Sequence, residues 1–99
     1  MKLNLDSRKE IVLIVDDSAD ALSLMNDALA NENVDVLVAL DGKAALTIAR
    51  RIKPDIILLD ALMPNMDGFS TCEALKADPQ LASIPVIFMT GLTESADIV

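Results

Sequence analysis

Histidine is absent from this 99-residue chain, as are tryptophan and tyrosine, and there is one cysteine. Without imidazole, neither a Ser-His-Asp nor a Cys-His catalytic arrangement can be assembled within the chain, and zinc sites that need histidine are excluded. Cys72 alone can form neither an internal disulfide nor a thiolate cluster. The two phenylalanines, Phe69 and Phe88, are too few for a base-stacking platform. Positive charge is scarce: 8 basic residues face 16 acidic ones, for a net charge of −8. That balance argues against a nucleic-acid backbone or an anionic membrane as the direct partner. Long hydrophobic runs are missing too; stretches such as Ile11–Val15 are far too short to span a bilayer. Met1–Glu10 carries Asp6 and Glu10 without a long apolar core, so it does not read as a secretory signal, and the expected location is the cytoplasm.

What is present describes one small folded unit. A hydrophobic share of 53% with 24% charged residues excludes disorder as the main state. Four apolar runs, Ile11–Val15, Val34–Ala39, Ile56–Leu59 and Pro85–Met89, read as buried strands. Helical spacing lies between them. Ala21, Leu22, Met25, Ala28 and Leu29 share one face, as do Ala45, Ile48, Ala49 and Ile52, and Phe69, Cys72 and Leu75 begin a third stripe. Asp41-Gly42 and Asp67-Gly68 mark helix starts, with Asp41 and Asp67 read as caps, while Pro54 and Asp78-Pro79 follow helix ends. Thr93 and Glu94 read as the start of a fourth helix. Strand–helix alternation of this kind implies right-handed crossovers and a mostly parallel sheet covered by helices on both faces. The expected organisation is an N-terminal extension over residues 1–9 and one α/β domain over 10–99 whose last part is absent.

In an open parallel sheet, ligands bind beyond the carboxyl ends of the strands, at the switch in strand order. The first strand ends in Asp16-Asp17, the third in Asp60 and the fourth in Thr90-Gly91. With the first and third strands as neighbours, three carboxylates converge, and such a cluster pushes at least one pKa upward unless a cation offsets it. Mg²⁺ suits the donor set, because it favours oxygen ligands, keeps several waters, and takes one or two carboxylates plus a phosphate oxygen. The plainer reading of Asp16-Asp17 is capping of the next helix. Asp60 is harder to explain that way, since an uncompensated carboxylate beside buried apolar strands costs several kcal/mol. Cys72 reads as a small core residue, and Thr90 by itself as an ordinary strand-end threonine.

Four segments together resemble the receiver domain of two-component response regulators: Ile11-Val-Leu-Ile-Val-Asp-Asp-Ser18, Pro54-Asp-Ile-Ile-Leu-Leu-Asp60, Met63-Pro-Asn-Met-Asp-Gly68 and Ile84-Pro-Val-Ile-Phe-Met-Thr-Gly91. They occur in the family's order and spacing. The resemblance implies a doubly wound, flavodoxin-like sheet with strands in the order 2-1-3-4, the fifth strand and helix missing. It implies that Asp60 is the phosphoacceptor, a carboxylate nucleophile that becomes an acyl phosphate. It assigns the metal to Asp17, to Asp16 acting mainly through water, to Asp60 and to the backbone carbonyl of Leu62. Thr90 would bond the phosphoryl oxygen after transfer, and the amides of Ala61 and Gly91 would hold the remaining oxygens. The implied donor is a histidine kinase or phosphotransfer protein, which supplies the histidine this chain lacks. The implied recipient is an output domain, normally C-terminal to this segment. Such a module is not a conventional enzyme, although it contributes to its own phosphorylation and dephosphorylation.

The family's lysine after the fifth strand has no counterpart here; Lys2, Lys9, Lys43, Lys53 and Lys76 match none of that pattern. A phosphohydrolase with an aspartyl nucleophile is the enzymatic alternative, but it would carry a second acid two residues after the nucleophile, where this chain has Leu62. A receiver-like interaction module that takes no phosphate is the other alternative; the loss of an acid that would mark it is not seen. A dinucleotide site is excluded because Asp16-Asp17-Ser18 stands where a glycine-rich turn is needed. Ending at Val99, the chain is expected to leave Pro85–Met89 as an uncharged sheet edge and to self-associate through that strand or by exchange of elements.

Overall fold

The computed structural model describes residues 10–30, 32–61 and 68–89, together with the backbone of 96–98. The chain begins with strand β1 (Glu10–Val15), helix α1 (Ala19–Leu29), strand β2 (Val34–Ala39) and helix α2 (Gly42–Ile52). Strand β3 (Ile56–Asp60), helix α3 (Gly68–Ala77) and strands β4 (Val86–Met89) and β5 (Ala96–Ile98) follow. The sheet order is β2-β1-β3-β4-β5. β1 pairs parallel with β2 and β3, and β3 pairs parallel with β4, so the first four strands take the expected order.

Period-2 alternation divides the apolar side chains between two layers. Leu13, Val15, Ile57, Leu59, Val86 and Phe88 pack with Ala45, Leu46 and Ala49 of α2 and with Cys72 and Leu75 of α3. Val12 and Ile14 pack on the other face with Leu22 of α1, joined by half-buried Met25, Leu29, Leu58 and Met89. The helical stripes hold with three departures: Ala28 is exposed, Ile52 is 47% exposed and Phe69 is 58% exposed.

Local chemistry sets the boundaries. The Asp41 carboxylate accepts from the Ala44 N–H at 2.8 Å and caps α2, as read from the sequence. Lys53 ends that helix in the left-handed conformation, φ 55°, with its N–H on the Ala49 carbonyl, and Pro54 follows. α3 stops at Ala77, before Asp78-Pro79. Asp55 ties the start of β3 to β1: its carboxylate accepts from the Ile11 N–H at 2.7 Å while its own N–H donates to the Ile11 carbonyl. Asp67 lies outside the described residues.

The C-terminal end corrects two expectations. Ala96–Ile98 forms a strand, not the body of a fourth helix, and pairs antiparallel with β4. The fifth place in the sheet is therefore filled by an antiparallel strand, where the resemblance implied a missing parallel one. The unpaired backbone of an edge strand offers ladder bonds at once. The register Ile87↔Ile98, Phe88↔Asp97 and Met89↔Ala96 covers the outer edge of β4 from within the chain. The β4 edge through which self-association was expected is thus paired within the chain.

Replacing Asp41 tests the capping account. Asp41→Ala is expected to lower unfolding stability by about 1 kcal/mol in urea titrations, the usual value of an N-cap. An unchanged midpoint would remove the cap from the forces that set the start of α2.

Candidate functional site

β1 and β3 are neighbours in the sheet, so the residues following them emerge side by side. Asp16 is the first residue after β1. Its N–H donates to the Ala39 carbonyl at 3.0 Å, prolonging the β1–β2 ladder by one bond. Its carboxylate turns back to accept from the Ser18 N–H at 2.9 Å. Ser18, not either aspartate, caps α1: its hydroxyl oxygen accepts from the Ala21 N–H at 3.2 Å. The capping reading of Asp16-Asp17 therefore fails, and both carboxylates are left for other work. Asp60 is the last residue of β3, opposite Met89 of β4.

One carboxylate oxygen from each of Asp16, Asp17 and Asp60 lies within 4.8 Å of the others. Asp16 is 9% exposed, Asp60 is half-buried and Asp17 is exposed. Burial pushes the Asp16 carboxyl above its ordinary value; the Ser18 N–H opposes that shift, and the charges of Asp60 and Asp17 add to it. Three carboxylate oxygens this close form an all-oxygen donor set of the kind that a hard divalent cation such as Mg²⁺ favours.

The end of β3 is held from two sides. Ala61, 3% exposed, donates its N–H to the Met89 carbonyl at 3.0 Å. That amide is thus engaged at the strand end, and holding a phosphoryl oxygen would require it to give up this bond. From the other side, the Gly68 N–H donates to the Ala61 carbonyl at 3.1 Å. Gly68 approaches so closely that a Cβ there would lie 2.3 Å from the Asp60 carbonyl oxygen and 2.6 Å from the Ala61 Cα. In the sequence Gly68 marks a helix start and closes one of the segments that carry the resemblance; its contact with Asp60 becomes visible when α3 is packed. Ser18 was missed as well, although serine just before a helical stripe is itself a capping signal. Leu62, Thr90 and Gly91 lie outside the described residues.

A parallel sheet ordered 2-1-3-4 with helices on both faces, and an acidic cluster at the carboxyl ends of β1 and β3 where the strand order switches, define a doubly wound α/β protein. The chain matches the response regulator receiver domain over residues 12–99, and it belongs to that family. It is 35% identical over 95 residues to the DNA-binding response regulator MtrA of Mycobacterium tuberculosis, covering 96% of this chain and 40% of that protein. It is 45% identical over 86 residues to the response regulator PleD of Caulobacter vibrioides, covering 87% of this chain and 19% of that protein. The chain thus spans well under half the length of these relatives. Among solved structures, the N-terminal domain of a response regulator receiver protein from Methanoculleus marisnigri superposes with a TM-score of 0.80. That match has 32% identity and covers 86% of this chain and 69% of the other. Among the described residues, no helix is long and apolar enough to cross a membrane.

The buried Asp16 gives a pH signature. A carboxyl that holds its proton more tightly in the fold than in the unfolded chain stabilises the fold at low pH and loses that contribution as pH rises through its raised value. Asp16→Asn removes the charge and keeps an oxygen for the Ser18 N–H. At neutral pH with divalent cations chelated, this variant is expected to be more stable than the parent chain, the gap closing as pH falls toward the ordinary aspartate value of 3.8. Urea midpoints across that range check it; a gap that grows in acid would contradict the burial account.

Proposed function

We propose that this receiver domain is a Mg²⁺-dependent phosphoacceptor in which Asp60 takes a phosphoryl group from a histidine kinase or phosphotransfer protein. The observation that carries the reading is the convergence of Asp16, Asp17 and Asp60 at one sheet edge. An Asp60 oxygen attacks phosphorus, the donor's P–N bond breaks with its electron pair returning to the imidazole, and an acyl phosphate forms. Phosphoryl transfer needs alignment and charge neutralisation more than covalent assistance. Asp17, Asp60 and the Leu62 carbonyl would hold Mg²⁺ directly and Asp16 through water; the ion supplies the positive charge that lets an anionic nucleophile meet an anionic donor. Thr90 would receive the phosphoryl oxygen by its hydroxyl, and the amides of Gly91 and Ala61 would take others, Ala61 after releasing Met89. The acyl phosphate then changes a surface read by an output domain or partner in the cytoplasm. MtrA is by its name a DNA-binding response regulator; for this chain, with its net charge of −8, contact with nucleic acid is assigned to an output domain and not to the receiver. The phosphohydrolase and the phosphate-free module gain no observation in their favour.

Two measurements test the reading. With acetyl phosphate and Mg²⁺, one acid-stable, base-labile phosphate is expected on the parent chain and none on Asp60→Asn, which keeps the shape but not the nucleophile. Label retained by Asp60→Asn would move the acceptor elsewhere. Separately, Mg²⁺ at ten times its Kd should add roughly 1.4 kcal/mol to the stability of the parent chain by mass action. The increment should be lost in Asp17→Ala and kept in Asp41→Ala; equal increments in both would misplace the metal.

A further inference from the structure

We propose that Gly68 is a positioning residue for the acceptor site, holding the Asp60 backbone where its carboxylate can share a cation with Asp16 and Asp17. The inference rests on the phosphoacceptor reading above and assigns a role to a residue with no functional side chain. Its basis is the closeness of the two backbones: the Gly68 N–H meets the Ala61 carbonyl at 3.1 Å, and any Cβ would fall 2.3 Å from the Asp60 carbonyl oxygen. Both atoms that a Cβ would strike belong to main chain, so no side-chain rotation can relieve the overlap. Either α3 or the end of β3 must move.

α3 is the more firmly held of the two. Thr71, Cys72 and Leu75 are buried along its inner face. The Phe69 ring stands 4.7 Å from that of Phe88 on β4. At the far end, the Lys76 ammonium donates to the Ala82 and Ile84 carbonyls at 3.2 and 2.9 Å. The Asp60–Ala61 segment, by contrast, is the last of its strand, with the Ala61 bond to Met89 as its closing rung. Displacement therefore falls on Asp60, and its carboxylate leaves the cluster.

The test uses Mg²⁺ alone, titrated into the chain and followed by amide chemical shifts, with a urea midpoint measured for each variant. Gly68→Ala is expected to weaken Mg²⁺ affinity by 10- to 100-fold, the range for groups that orient metal ligands, whereas Cys72→Ala, which thins the α3 contact without adding an atom beside Asp60, should lower the midpoint yet hold the Kd within about twofold. Should Gly68→Ala populate little folded protein, trimethylamine N-oxide restores the compact state. Affinity that stays weak in the refolded variant supports the positioning role, and affinity that recovers with the folded fraction overturns it. A Gly68→Ala Kd equal to the parent's overturns the role while leaving the phosphoacceptor reading intact. Failure of the parent chain to bind Mg²⁺ would overturn both.

Discussion

Three like charges held within 4.8 Å are the constraint on which the rest of the molecule turns. In water, carboxylates at that distance drift apart; here the neighbouring ends of β1 and β3 forbid it. Burial raises the Asp16 carboxyl and its neighbours raise it further, so the isolated site carries an electrostatic cost that a divalent cation would relieve. The cluster does little for stability in its own right. It is maintained by a sheet that can bear the repulsion.

That sheet bears it because its two apolar layers are independent of the site. Leu13, Ile14, Ile57 and Leu59 are fully buried immediately before the acids. Strand ends can therefore be polar while strand interiors supply the hydrophobic stabilisation. The polar turns are stabilised separately. Ser18 caps α1 and Asp41 caps α2, which frees Asp16 and Asp17 from the capping work their positions would otherwise suggest.

The end of β3 is also placed by backbone on both sides. Met89 of β4 takes the Ala61 N–H and Gly68 of α3 takes the Ala61 carbonyl. Asp60 is one residue away from two such bonds, so its position depends on both partners staying in place. The two elements bonded to Ala61, α3 and β4, are thereby coupled to the end of β3.

The first four strands, the first three helices and the strand-end placement of the three aspartates were legible from residue order, and the sheet order from the family resemblance. Apolar runs and helical stripes encode which face is buried, and strand-end positions on a parallel sheet encode where a site must lie. The cap at Asp41 and the stop before Pro79 were legible because their chemistry is local. Contacts set by packing were not. The exposure of Phe69, the engagement of the Ala61 amide with Met89, and the approach of Gly68 to Asp60 depend on how α3 settles on the sheet. The antiparallel pairing of Ala96–Ile98 with β4 is of the same kind, since a short segment takes whichever backbone partner the fold leaves open. Local propensity and periodicity reside in neighbouring residues, whereas separations of a few ångströms between distant backbones exist only once the whole core has closed.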